Sequence, residues 1–227
     1  MTTRLIRRGL LDEFEEKKSD VRKRLAKNFS CFTKINKVSY LISGGDESAT
    51  MLSNTNCVVT ILGGSSGDTD EGMRIVRRVV SGFSSMFSGR DVHSMIVRDS
   101  LSQIMKLDLE DKDNARGLAV EFVIVDFTGR LTLVYFTGDQ HTVTDDEMND
   151  KMFFAGCYDN CYRKRVSSAI SDLFKDMEKP NEEKMKKIQA QLFKRLKIEH
   201  CNIVVLENVT PKIKKDKAKR VKKSDQS

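Results

Sequence analysis

The 227-residue sequence contains no run of about 18 apolar residues, so no segment reads as a helix that crosses a membrane. Aromatics make up only 7% of it and do not interleave with basic residues, which leaves base stacking on nucleic acid with little support. Five cysteines and three scattered histidines (His93, His141, His200) fall short of a zinc site. Cys157 and Cys161 stand one helical turn apart, half of a ligand set with no second pair near them. Cys31 and Cys57 lie in apolar, strand-like surroundings and read as reduced, buried thiols of a cytosolic or nuclear protein. Asp108, Glu110, Asp111 and Asp113, and also Asp145, Asp146 and Glu147, lack the ligand spacing of an EF-hand and read as solvated loops. No metal and no cofactor is expected. The opening residues lack the apolar stretch of a secretory signal. Arg4, Arg7 and Arg8 suggest a transit peptide, but the acidic Asp12, Glu13, Glu15 and Glu16 that follow argue against it.

Charge is present but uneven. The net charge is +7, and residues 212–223 carry eight basic side chains against Asp216, so the rest of the chain is close to neutral. Such a run reads as a solvated, disordered tail; nucleic acid, an acidic partner or an import receptor are its alternative contacts.

Residues 10–28 have the pattern of an amphipathic helix, with Leu11, Phe14, Val21 and Leu25 on one face and Lys18 interrupting it. Strands are expected at 29–35 and 38–42, joined at Asn36-Lys37, with Gly44-Gly45-Asp46 breaking the second. A buried strand at 57–62 ends in Gly63-Gly64-Ser65-Ser66-Gly67. Asp68 then caps a helix striped by Met73, Val76, Val80, Phe83 and Phe87. Asp91 caps another, with Val92, Met95, Ile96, Leu101, Ile104 and Met105 on its apolar side, before a charged loop over 108–116. A hairpin at 118–125 and 131–136 turns at Thr128-Gly129, Gly138-Asp139 turns again into a polar loop, and a short strand follows at 152–155. Two helices come next. One carries Val166, Ala169, Ile170, Leu173, Phe174 and Met177; the other, past Pro180, carries Met185, Ile188, Leu192 and Leu196. A strand at 203–206 precedes the tail. Grouped strands and paired helices predict an α/β (α+β) fold of antiparallel sheets covered by helix pairs, not a doubly wound sheet.

That order resembles the Ntn-hydrolase fold of proteasome-type subunits. CVVTILGGSSGDTDEGMRIV is similar to the family's strands running into an SG-x-x-x-D segment, with Gly64 and Asp68 at matching spacing. In RGLAVEFVIVDFTGRLTLVYFTGDQ, Gly117, Asp126, Gly129, Leu131 and Gly138 match the family's hairpin. FFAGCYDNC and NIVVLEN stand where the family has its pre-helix segment and closing strand. The resemblance covers roughly residues 29–208 and implies a four-layer αββα sandwich. The organisation expected is an N-terminal segment with its helix at 1–28, an Ntn-hydrolase-like domain at 29–210 and a basic tail at 211–227.

Two departures bear on activity. The Tyr-Asp-Arg segment that opens α-type (outer-ring) subunits is replaced by GLLDEFEEKK. No Gly-Thr junction precedes the first strand, where catalytic β-type subunits free their threonine amine. Ser30 lies 16 residues before Asp46, about the family's spacing from nucleophile to supporting acid, but it follows Lys27-Asn28-Phe29 rather than a processing glycine. No basic residue occurs between Lys37 and Arg74, the interval that holds the family's tuning lysine, so neither an amine nor a hydroxyl there has a cation to lower its pKa. The plain reading makes Ser30 a strand residue and Asp46 a turn residue. GGSSGD lies between strand and helix where a phosphate cradle would lie, but it lacks the Lys-Ser/Thr of a P-loop and the GxGxxG spacing, and its nearer reading is a tight strand-to-helix turn. No catalytic residue is expected.

The resemblance implies a non-catalytic α-type subunit of a 20S proteasome-like particle, cytoplasmic and nuclear, contributing to ring assembly, gating and docking of regulators. Its partners would be other α- and β-type subunits and a regulatory particle. The helix at 10–28 would bridge to neighbours and the helix at 68–87 would meet the opposite ring. The alternatives are a stand-alone pseudo-enzyme or assembly factor of the same fold, and a nucleic-acid-associated protein acting through its tail.

Overall fold

A computed structural model of the chain describes residues 2–36, 38–45, 50–53, 57–86, 94–114, 116–126, 130–144, 152–175, 177 and 180–206. Helix α1 (Thr2–Leu25) leads into β1 (Phe29–Ile35), β2 (Val38–Gly45), β3 (Thr50–Ser53) and β4 (Cys57–Gly63). Helices α2 (Ser66–Met86) and α3 (Ser94–Glu110) follow, then β5 (Val120–Asp126), β6 (Leu131–Val134), β7 (Gln140–Val143) and β8 (Met152–Gly156). Helices α4 (Asn160–Phe174) and α5 (Glu182–Leu196) precede β9 (His200–Leu206). All pairings are antiparallel, in a four-stranded sheet ordered β8-β1-β2-β9 and a five-stranded sheet ordered β3-β4-β5-β6-β7.

Strand alternation sets the layers, because successive side chains leave a strand on opposite faces. Phe29 and Cys31 of β1 and Tyr40 and Ile42 of β2 pack with Val166, Ile170 and Phe174 of α4 and Ile188 and Leu192 of α5. Their neighbours Phe32 and Leu41 belong instead to the core shared with the second sheet and with α2 and α3. The two sheets therefore lie face to face, each with a helix pair outside it. Gly72 sets how closely α2 approaches: a Cβ there would stand 2.6 Å from Ile61 Cγ2 and 3.0 Å from Val120 Cγ1. On α1, Val21 and Leu25 are fully buried, and Lys18 lies over the Phe14 ring at 4.2 Å, so the cation that interrupts the apolar face still packs on it.

The structure corrects several sequence expectations. Helix α1 spans Thr2–Leu25 rather than 10–28. Gly44 and Gly45 continue β2 instead of ending it; a Cβ on Gly44 would come within 2.8 Å of Ile198 Cδ1, so glycine is needed for close packing within a paired strand. Helix α3 runs on to Glu110, through part of the expected charged loop. Met177 leaves α4 but stays buried. Strand β6 ends at Val134, and the expected polar loop contains β7. β7 and β3 are the two edges of their sheet; of the β7 side chains only that of Val143 is buried, so β7 carries no apolar alternation. Asp91 and Thr128-Gly129 lie outside the described residues.

The Tyr40 hydroxyl is buried without a hydrogen-bond partner among the described residues, while its ring meets Phe174 edge-on at 4.8 Å. Replacing Tyr40 with Phe is expected to leave stability unchanged or raise it by about 1 kcal/mol, since a desolvated polar group is lost and the ring contact kept. Leu192→Ala, at a position fully buried in the same cluster, is expected to cost about 2–5 kcal/mol. Urea denaturation of the two variants beside wild type reads both effects.

Candidate functional site

Helix α1 ends at Leu25 and the chain enters β1 four residues later, at the end of the sandwich where the tips of β2, β4 and β8 converge. Asn28 organises this turn. Its Nδ2 donates to the Gly63 carbonyl at 2.8 Å, and its own carbonyl accepts the Cys157 amide at 2.7 Å. A Cβ on Gly45 would stand 2.1 Å from Asn28 Oδ1, and one on Gly156 would stand 2.4 Å from the Asn28 carbonyl oxygen. The missing side chains of Gly45 and Gly156 thus make the space that Asn28 fills. Cys157 follows in the left-handed conformation, φ +56°, and its amide also reaches the Leu25 carbonyl at 3.2 Å.

Arg24, one turn earlier, uses its whole guanidinium. Nε donates to Asp20 at 3.0 Å, Nη1 to both Asp68 carboxylate oxygens at 3.1 Å, and Nη2 to the Arg116 and Gly117 carbonyls at 2.8 and 2.6 Å. The Arg24 and Asp68 side chains are 12% and 10% exposed, so this is a nearly buried pair. Asp68 was expected to cap its helix. It lies instead in the first turn of α2, and Ser65 is the capping residue: the Ser65 hydroxyl donates to Asp68 Oδ2 at 2.7 Å and accepts the Asp68 amide at 3.2 Å. Asp68 also accepts the Ala119 amide at 3.3 Å. The carboxylate that ends the GGSSGD segment is thus held by Arg24, the Ser65 hydroxyl and the Ala119 amide.

Deeper in, Glu121 of β5 is fully buried among apolar residues. Oε1 accepts the Tyr158 hydroxyl and the Phe136 amide at 3.4 Å, and Oε2 accepts the Gly156 amide. This carboxylate joins the second sheet to the end of β8 in the first. Burial raises its pKa above the ordinary 4.5, outweighing the three donors and Arg163, which pull it down. Burial pushes the Tyr158 hydroxyl up as well, and the Glu121 charge adds to this.

The serine-centred arrangement does not come together among the described residues. Ser30 sits inside β1, paired with Ser43 and Ala155; it is 1% exposed and its Oγ has no hydrogen-bond partner among the described residues. Asp46 lies outside the described residues. The cations near this end are committed elsewhere: Lys17 Nζ donates to the Asp108 and Asp111 carbonyls, and Arg163 donates to the Gly156 carbonyl at 3.2 Å and lies over Phe154. Cys157 is buried and its thiol is pushed up to about 11 by burial, while Cys161 is exposed, so the two do not share an environment. Burial likewise pushes up the Cys31 thiol, and that of Cys201 to about 12, which keeps them protonated and poorly nucleophilic. Among the described residues no group of three His, Cys, Asp or Glu side chains is arranged to hold a metal, and no helix is long and apolar enough to cross a membrane. Asp108 is not a solvated loop residue: its carboxylate accepts Asn114 Nδ2 at 2.9 Å and the Leu118 amide at 2.7 Å. Asp145, Asp146, Glu147 and the basic run 212–223 lie outside the described residues.

Sequence reasoning passed over Asn28, Arg24 and Glu121. Glu121 had a signal, a lone carboxylate inside the apolar run LAVEFVIV. Asn28 and Arg24 had none, because apart from Arg24–Asp20 their side-chain contacts reach 35 to 93 residues along the chain.

Two variants test this end of the molecule. Arg24→Met strands the Asp68 carboxylate and is expected to cost about 3–5 kcal/mol, most of it recovered when Asp68→Asn is added, in a denaturation-based double-mutant cycle. The raised pKa of Glu121 means that the folded protein holds this proton more tightly than the unfolded chain does. Its contribution is therefore full below pH 4.5 and is lost as pH rises through the folded value. Glu121→Gln is expected to flatten that loss in a series of unfolding curves against pH. It should also lower stability by about 1–3 kcal/mol at acid pH, because the amide presents donors to donors.

No protein-family profile matches the chain, and no curated protein matches it.

Proposed function

We propose that the chain is a non-catalytic, α-type subunit of a 20S proteasome-like core particle with the Ntn-hydrolase fold. It acts in protein degradation in the cytoplasm and nucleus by building a ring and helping to form its gate and its docking face for regulators. The observation that carries this reading is α1. Two face-to-face antiparallel sheets with a helix pair outside each agree with the sandwich that the sequence motifs resemble. An Ntn nucleophile needs a free amine at the head of the first strand. Here a 24-residue helix occupies that position and is tied into it through Arg24, Leu25 and Asn28. The partners are other α- and β-type subunits and a regulatory particle. Helix α1 bridges to a neighbour and α2 faces the opposite ring.

A gentle pull-down of the tagged chain, followed by size exclusion and mass spectrometry, tests this. The expected result is migration in a particle many times the 25.9 kDa of the chain, together with peptidase subunits. Elution as a stable monomer with none of them would sink the reading. In the same particle Ser30→Ala is expected to leave peptidase turnover unchanged, since no described base reaches its Oγ; a loss of turnover in a particle that still assembles would overturn the non-catalytic assignment.

A further inference from the structure

Between α2 and α3 lies an open cleft of about 570 Å³ beside the end of α1. Its floor is apolar, formed by Ile75, Val79, Ile104 and Leu118. Its negative charges are already answered: Asp68 by Arg24, Glu71 by Arg74, and Asp108 by Asn114 and the Leu118 amide. Its exposed cations are not. Arg78 and Arg116 line the cleft, and their side chains have no partner among the described residues. A rim of two free guanidinium groups over an apolar floor suits a surface that offers carboxylates, which guanidinium forks bind in bidentate fashion.

The same chain carries such a surface. Asp12, Glu13 and Glu16 of α1 are exposed and likewise have no partner among the described residues, whereas Glu15 and Asp20 are held by Lys18 and Arg24. Offsets of one, three and four residues put these three carboxylates on one side of the helix, opposite Phe14, which packs inward. We propose that the α2–α3 cleft of one copy receives the acidic side of α1 from a second copy, with Arg78 and Arg116 pairing with Asp12, Glu13 and Glu16. The two surfaces differ, so the contact is head-to-tail, and the pair keeps one cleft and one helix side free to continue the assembly. The inference deepens the ring reading and rests on it by naming the surfaces that meet. Loss of that reading would show separately, as absence of peptidase subunits from the pull-down.

The purified full-length chain is enough for the test, by sedimentation velocity over a range of concentrations, with circular dichroism to confirm that each variant is folded. Wild type is expected to associate at low salt, and less so as salt is raised. The pair Arg78→Glu and Arg116→Glu should weaken association by roughly tenfold or more, as should the triple Asp12→Lys, Glu13→Lys and Glu16→Lys. An equimolar mixture of the two variants should associate again, because each cleft then meets a helix of opposite charge. A wild-type chain that stays monomeric at every concentration, a charge-reversed variant that associates like wild type, or a mixture no better than its components overturns the proposal.

Discussion

The Arg24–Asp68 pair is the contact on which the rest of the molecule's end depends. Asp68 accepts from a side chain on α1, from the hydroxyl that caps its own helix and from a backbone amide just ahead of β5. Arg24 meanwhile donates to two carbonyls in the segment entering that strand. One ion pair thus fixes the start of α2, the end of α1 and the approach to the second sheet. A pair so nearly out of water stabilises only when its remaining hydrogen-bonding groups are also satisfied. Here they are: all three guanidinium nitrogens and both carboxylate oxygens have partners. With α1 set at this angle, the Leu25 and Asn28 carbonyls meet the Cys157 amide, and the first sheet is tied in turn.

Glu121 solves the complementary problem on the inside. The sheets are held face to face by apolar contact, which is strong but not directional. A buried carboxylate facing three donors, two of them on the stretch that ends β8 and one in the turn after β6, adds direction at the cost of desolvation. That cost appears as the raised proton affinity of the group. Polar specificity at this end of the sandwich is therefore concentrated in Asn28, Arg24–Asp68 and Glu121, with glycines at 45, 63, 64 and 156 leaving them room. A Cβ on Gly64 would stand 2.7 Å from the Arg24 Cβ, and one on Gly63 would stand 2.1 Å from Thr69 Oγ1.

How much of this the sequence disclosed follows from how local each signal is. The stripes of Val166, Ile170 and Phe174 and of Ile188, Leu192 and Leu196 identified α4 and α5 because helical periodicity is written within ten residues. The run CVVTIL identified β4 because both faces of that strand are covered. β7 escaped because an edge strand with one buried side chain offers no pattern to read. Gly44 and Gly45 misled because glycine marks a turn and a close approach alike, and only the neighbour, Ile198 or Asn28, tells them apart. Of the candidate site, the absence of lysine from the interval 38–73 was legible, since it is a property of composition. What fills that end instead was not, because each contact joins segments far apart in sequence.

Charge is handled differently inside and outside the molecule. Inside the molecule, the described cations that approach the closed end are consumed: Arg24 by Asp68 and two carbonyls, Lys17 by two carbonyls at the end of α3, Arg163 by a carbonyl and an aromatic face. Burial forces this, because an unpaired charge in the interior costs more than the fold can carry. Outside, water screens charge and no such pressure acts, so Arg78, Arg116, Asp12, Glu13 and Glu16 have no reason of stability to be matched. Folding alone would tolerate them scattered. Their segregation into a basic cleft and an acidic helix side is what association between copies would select, because complementary surfaces gain when brought together and like surfaces repel. The chain's own helix is tied into that end of the sandwich through Arg24 and Asn28, whereas the charges of Arg78, Arg116, Asp12, Glu13 and Glu16 face outward.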